Sequence, residues 1–229
     1  MKQTLIAICA AGFSVIASQG AAIAVGDSSF ETNAAITAPG GWSDDLSPDW
    51  SERDGANNGG SFEEYIAGFS ADGNNHVGMN TGVYLWQDTG VAFQPNTTYT
   101  LSIAAGNRGG QSAEGNLTTF GLLNDATNLG VANYANTAAV TADAGITEAS
   151  AQYDAFANVT EGAFGDAPDL VFTTGAVAPA GNVVVLLGAD GPAGRSHFDN
   201  IRLDATAVPE PASALLGALA GLVLLRRRR

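Results

Sequence analysis

Glu63 and Glu64 stand side by side, and the chain has two histidines, His76 and His197. Neighbouring side chains in an extended strand point to opposite faces, so Glu63 and Glu64 cannot flank one glycosidic bond as an acid–base pair. The histidines lack the His-Glu-x-x-His spacing that sets two imidazoles on one helix face, which argues against a zinc hydrolase. No Gly-x-Ser-x-Gly elbow is present for a serine nucleophile. Asp72-Gly73-Asn74-Asn75-His76 is rich in ligand-type residues but lacks the calcium-loop pattern and reads as an Asx-type turn. On these residues the chain has no catalytic constellation and reads as a non-enzyme.

Asp199 and the tryptophans carry the remaining chemistry. If residues 197–204 form a regular strand, Asp199 shares a face with Ile201 and Leu203, and a carboxylate in a core-facing row must be paired, protonated or metal-bound. The competing reading is a β-bulge at Asp199 whose side chain caps a turn. Sugar recognition needs aromatic platforms that pack on the C–H faces of a pyranose. Trp42 and Trp50 lie in the acidic loop of residues 38–61 and are the candidate ligand-binding rings, whereas Trp86 and Tyr99 lie in strand-like segments and read as core.

The elements that must position these residues are strands. Thr98 to Ile103 alternates polar and apolar side chains, and Asn182 to Leu187 is a short apolar run that suits a buried strand. Further candidates are residues 27–31, 63–69, 76–79, 83–89, 118–123, 151–159, 170–174 and 197–204. The best helical candidate, residues 137–155, is interrupted by Gly145 and β-branched residues. No fixed-period repeat argues for a solenoid or propeller. The pattern predicts an all-β protein, an antiparallel β-sandwich of jelly-roll type.

Composition narrows the partners. The 229 residues carry 9 basic and 23 acidic side chains, a net charge of −14, and only 14 % of residues are charged. Lys2 and the run Arg226, Arg227, Arg228 and Arg229 hold most of the positive charge, leaving Arg53, Arg108, Arg195 and Arg202 elsewhere. Such a surface argues against a nucleic-acid partner and suits high ionic strength, as in a saline habitat, a divalent cation, or simple solubility by negative charge.

The two ends read as addresses. Lys2, the apolar stretch from Leu5 to Ile16 and Ala22-Ile23-Ala24 have the layout of a secretory signal peptide over residues 1–24, its apolar part helical. The single cysteine, Cys9, falls inside it, so a mature chain has no disulfide and no thiolate. Val208-Pro209-Glu210-Pro211 is followed by an uncharged apolar stretch to Leu225 and by the arginine run. That stretch spans about 21 Å as a helix, short of the ~30 Å hydrocarbon core, with its basic end on the cytoplasmic side. The domain plan is therefore residues 1–24, a β-sandwich over residues 25–207, and a terminal signal over residues 208–229.

Two resemblances follow from these residues. Pro209-Glu210-Pro211, the apolar helix and Arg226 to Arg229 resemble the PEP-CTERM sorting signal. That resemblance implies recognition by an exosortase-type membrane protease, transient membrane anchoring through the C-terminal helix, and delivery to the cell surface or extracellular matrix. Ser29-Phe30-Glu31, Gly41-Trp42, the segment from Trp86 to Leu101, and Phe198-Asp199-Asn200-Ile201-Arg202-Leu203 resemble galactose-binding-like β-sandwiches and carbohydrate-binding modules. In such modules a calcium ion commonly ties the first strand to the last, and the matching positions here are Glu31 and Asp199. Together these imply an exported surface or matrix protein with a non-catalytic binding or structural sandwich, associated with exopolysaccharide. The alternatives are a carbohydrate-active enzyme on a jelly-roll scaffold and a purely structural coat protein.

Overall fold

A computed structural model describes residues 20–53, 60–130, 134–192, 194–208 and 226. The expected signal helix and C-terminal apolar helix fall almost entirely on residues outside these. Among the described residues, thirteen strands follow one another: β1 (Ala21–Ile23), β2 (Trp42–Ser43), β3 (Ser51–Arg53), β4 (Ser61–Tyr65), β5 (Asn75–Asn80), β6 (Tyr84–Ala92), β7 (Thr97–Asn107), β8 (Leu117–Leu123), β9 (Thr147–Tyr153), β10 (Ala163–Asp166), β11 (Leu170–Thr173), β12 (Asn182–Asp190) and β13 (Arg195–Ala207). Two short helices, α1 (Thr137–Thr141) and α2 (Ala155–Asn158), interrupt them. Every strand pair is antiparallel, as the sequence pattern predicts.

One sheet runs β10-β7-β13-β5-β4-β2, with β1 added beside β13 and β11 beside β7; the other runs β3-β6-β12-β8-β9. The sheets enclose a core in which Val77, Met79, Leu101, Ile103 and Phe198 meet Leu85, Phe120, Leu122, Val185 and Leu187. The period-2 pattern of β7 explains its share: Tyr99, Leu101 and Ile103 are buried while Thr98, Thr100 and Ser102 are only partly covered. Strand β12 is apolar on both faces because its outer face is covered as well. There Val184 and Leu186 pack with Tyr84, Trp86, Leu129 and Val140, beneath the segment that contains α1.

Several elements differ from the pattern-based expectation for local reasons. Residues 27–31 form a turn, because Asp27 Oδ1 accepts from the backbone N–H groups of Glu31 (2.8 Å) and Thr32 (3.2 Å) and competes with a ladder. Phe30 sits at φ 55° in that turn and drops its ring into the core against Trp50, centroids 5.6 Å apart. Residues 137–155 divide into α1, capped by Asn136, and β9, which pairs with β8. Residues 151–159 likewise divide into the end of β9 and α2, capped by Asp154. Ala21–Ile23, read from the sequence as the end of the leader, are strand residues in register with Leu203–Ala205 of β13.

The last strand bends where the sequence is ambiguous. Its pairing with β7 shifts between Asp199 and Arg202, and Asn200 takes φ 51°. This bulge places Ile201 and Leu203 in the core and turns Asp199 to the opposite face, alongside His197. The bulge reading of Asp199 is thus the one observed. Its carboxylate ties down a turn, accepting at Oδ2 from Ala71 N (2.6 Å) and Asp72 N (2.9 Å).

Candidate active site on the outer face of the larger sheet

The outer face of the eight-stranded sheet gathers residues that are distant in sequence. Cross-strand register sets Phe62 opposite Gly78, Gly78 opposite His197, His197 opposite Gly106, and Gly106 opposite Phe164. The neighbouring row sets Trp42 opposite Glu64 and Glu64 opposite His76. Both glycines are needed for close approach: a Cβ on Gly78 would lie 2.6 Å from Phe62 Cε2, and one on Gly106 2.8 Å from the Cζ atoms of Phe164 and Phe69. The rings lean into the room these glycines leave.

Phe69, from the turn after β4, covers the histidines. Its ring meets His76 edge-on at 5.0 Å and His197 at 5.4 Å, and packs on Phe164 at 4.7 Å. Both imidazoles are fully buried, with centroids 5.3 Å apart. His76 Nε2 lies 3.5 Å and His197 Nδ1 3.9 Å from Glu64 Oε1. The 3.5 Å approach of His76 Nε2 is a weak polar contact at best, and no ring nitrogen of either histidine completes a hydrogen bond of good geometry. Burial pushes both imidazoles below the usual histidine range, His197 furthest, so both are neutral near neutral pH.

Glu64 is the charged member. Arg108 Nη1 donates to both of its carboxylate oxygens at 2.6 Å. Burial works to raise the Glu64 carboxyl, but His76 and Arg108 outweigh it and hold the group below the usual glutamate range. Glu63, on the other face, is wholly buried toward the core and pushed up by burial, with Ser47 N donating to its Oε1 at 2.8 Å. The two adjacent glutamates do face opposite ways.

Glu64 opens into a cleft of about 370 Å³ lined by Trp42, Phe62, Glu64, Asn80, Arg108 and Arg195. Trp42 is 65 % exposed at its edge. Arg195 donates from Nε to Asn80 Oδ1 at 3.1 Å and holds its guanidinium 4.3 Å from the Phe62 ring centroid. Aromatic walls, one ionised carboxylate and two guanidinium groups make a site for a small aromatic molecule with a polar group.

Of the residues singled out in the sequence, Trp42 is brought to this cleft and Trp50 is not. Trp50 is 5 % exposed in the core and donates from Nε1 to Asp27 O at 3.3 Å, which leaves no ring face for a ligand. Glu31 and Asp199 hold the same loop from its two ends: Glu31 Oε1 accepts from Asn74 N and Asn75 N, both at 2.6 Å, while Asp199 accepts from Ala71 and Asp72. Among the described residues, the His, Cys, Asp and Glu side chains that bring three ligand atoms within 4.8 Å of one another are Glu64, His76 and His197. Sequence reasoning set these histidines aside for want of a helical motif. The signal that marks them is the strand alternation of Phe62 with Glu64 and of His76 with Gly78, which puts all four on one face.

The family model described as HpiC1 cyclase, HpiC1-like, matches residues 21–204. The chain belongs to the HpiC1-like cyclase family. Solved cyclases share the fold. The Stig cyclase Fisc from Fischerella sp. TAU, in complex with (3Z)-3-(1-methyl-2-pyrrolidinylidene)-3H-indole, is 19 % identical and superposes with a TM-score of 0.62 over 83 % of this chain and 100 % of its own. A cyclase from Fischerella sp. TAU in complex with 4-(1H-indol-3-yl)butan-2-one is 18 % identical, with a TM-score of 0.61 and the same coverage. No curated protein matches the chain at a significant level.

Family membership corrects much of the functional reading. A cyclase family is a family of enzymes, so the non-catalytic surface protein gives way, and neither the carbohydrate-active enzyme nor the coat protein replaces it. The sandwich is a cyclase domain, so the likeness to carbohydrate-binding modules holds for the antiparallel sandwich fold and not for the function. The partner class changes with it: a cyclase acts on a small molecule, in place of the exosortase-type protease and the exopolysaccharide. The PEP-CTERM identification and the membrane-anchored, then surface or matrix, address are withdrawn on the same finding. No described helix is long and apolar enough to cross a membrane. Of the segment on which that reading rested, Pro209, Glu210, Pro211, Arg227, Arg228 and Arg229 lie outside the described residues, and Arg226 is exposed.

Proposed function

We propose that this member of the HpiC1-like family closes a ring in a small indole-class substrate held in the cleft at Glu64. The observation that carries the reading is the cleft itself, a ~370 Å³ site with an ionised carboxylate at its floor and the rings of Trp42 and Phe62 at its walls. Ring closure onto an electron-rich aromatic develops positive charge that a final deprotonation removes. A carboxylate in a partly desolvated site stabilises that charge and accepts the proton. Glu64 is held ionised for this by Arg108 and His76. Arg195, anchored on Asn80 and Phe62, is the donor that faces the substrate's polar group. The indole-bearing molecules in the Fischerella cyclases support an aromatic occupant of this class.

The calcium ion at Glu31 and Asp199 belongs to the same proposal. Their carboxylates are hard oxygen donors, they reach one loop, and Asp199 Oδ1 takes a single N–H, from Asn200 at 2.7 Å. Burial pushes the Asp199 carboxyl up to about 7, the condition that a bound cation would relieve. When bound, the ion would supply structural cross-linking, not reaction chemistry.

The test of the cyclase reading is binding of 4-(1H-indol-3-yl)butan-2-one to the full chain, followed by calorimetry. Saturable binding that weakens in Trp42→Ala and in Glu64→Gln supports it. No binding, or binding indifferent to both substitutions, overturns the placement of the site.

A further inference from the structure

Glu64, His76 and His197 come from three different strands and meet on one face, each offering one ligand atom, with all three atoms within 4.8 Å of one another. A metal of zinc type binds at about 2.0–2.2 Å to imidazole nitrogen and carboxylate oxygen, so tetrahedral ligand atoms stand about 3.3–3.5 Å apart. The separations from Glu64 Oε1 are 3.5 Å to His76 Nε2 and 3.9 Å to His197 Nδ1, close to that spacing before any ion draws them in.

The two imidazoles give a second, independent observation. Both are fully buried, and the nitrogens that face Glu64 complete no hydrogen bond of good geometry, Glu64 Oε1 standing 3.5 and 3.9 Å away. A buried polar atom normally finds one, so these nitrogens are orphans in a set that is otherwise well packed by Phe69 and Phe164. Neutral imidazole is also the ligating form of histidine.

We propose that Glu64, His76 and His197 form a binding site for a borderline divalent transition-metal ion of the zinc class, with Arg108 as the cation that occupies the carboxylate when the metal is absent. Two nitrogens and one carboxylate suit such an ion and not calcium, which takes six to eight oxygens. Three protein ligands leave a coordination position open, and one of the three, Glu64, lines the cleft. Arg108 has room to withdraw: its side chain is 28 % exposed, against 8 % for that of Glu64. A bound ion takes the Glu64 oxygen that Arg108 holds, and the guanidinium moves out to solvent. This inference does not rest on the cyclase reading, since the probe is the metal alone.

The experiment uses the full chain, stripped with chelator and titrated with Zn²⁺ and separately with Co²⁺. The expected result is one ion per chain, released by chelator, with the visible d–d bands of a four- or five-coordinate Co²⁺ adduct, and no competition from Ca²⁺. Stoichiometric binding is lost in His197→Gln. Because that variant disturbs a packed site, Arg108→Gln supplies the opposite test: it leaves the three ligands in place, removes the competing cation, and is expected to bind Zn²⁺ about tenfold tighter. Absence of saturable binding in the wild-type chain overturns the proposal, whatever Arg108→Gln does. So does binding that survives His197→Gln unchanged, which would put the ion elsewhere.

Discussion

His76 Nε2 lies 3.5 Å from Glu64 Oε1, on the facing strand, and His76 is fully buried. Burial keeps both His76 and His197 neutral in the fold, whereas an unfolded histidine titrates near ~6.5. Below that pH the unfolded chain binds protons that the folded chain does not, so stability falls as the solution is acidified. Asp199 and Glu63, both pushed up by burial, act in the opposite sense, and Glu64, held low, adds to the loss in stronger acid. In chelator, the melting temperature of wild type relative to His197→Gln is expected to fall as pH drops through about 6.5, because only the wild type takes up this histidine's proton on unfolding. A slope identical in the variant would show that His197 does not titrate with unfolding.

Gly78 and Gly106 flank His197 in one cross-strand row, and each is overlaid by phenylalanine. An added methyl must displace Phe62 in the first case and the Phe164–Phe69 pair in the second. Overpacking of this kind costs about 1–3 kcal/mol, so Gly78→Ala and Gly106→Ala should both lower the denaturant midpoint. The two part company in binding. Phe62 lines the cleft and Phe164 does not, so Gly78→Ala should lose more affinity for 4-(1H-indol-3-yl)butan-2-one in titration calorimetry.

The fold was legible where one periodicity acted alone. The alternation of Tyr99, Leu101 and Ile103 and the apolar run from Val183 to Leu187 each mark a strand that the structure contains. It was not legible in strands as short as Trp42–Ser43, which have no room for a pattern, or in residues 27–31, where a side-chain acceptor on Asp27 wins the backbone donors. The face of Asp199 depended on one residue, Asn200 at positive φ, which regular alternation does not reveal. The site was the least legible part. His76 and Glu64 meet through the register of β4 with β5, and His197 joins them through β13, so their proximity is a property of sheet order and not of spacing along the chain.

Trp42 and Trp50, eight residues apart, differ sharply in exposure, with Trp42 open to solvent and Trp50 in the core. Trp50 stacks near Phe30 in the core, so Trp50→Ala should cost about 3–5 kcal/mol in chemical denaturation. Trp42 is 65 % exposed on β2, and Trp42→Ala should change stability by no more than ~0.5 kcal/mol while weakening binding of the indole probe. Equal destabilisation by both substitutions would show that Trp42 packs in solution and is not a free wall of the cleft.

Asp199 ties the turn at Ala71 and Asp72 to the last strand of the sandwich. Its carboxyl is pushed up to about 7 by burial, so in chelator the folded chain holds a proton there that the unfolded chain releases near its ordinary value of 3.8. This contribution is fully present in acid and is lost as pH rises through 7. Asparagine carries no such proton, so the melting temperature of Asp199→Asn relative to wild type should rise between about pH 4 and pH 7 and level off above. Calcium should reverse the comparison at high pH: an ion at a hundredfold excess over its dissociation constant stabilises the wild type by about 2.7 kcal/mol and leaves Asp199→Asn with less or none. Glu31→Gln should likewise blunt the calcium response. A melting temperature indifferent to calcium at pH 8 would leave Glu31 and Asp199 as hydrogen-bonded clamps on the 71–75 loop, with no ion between them.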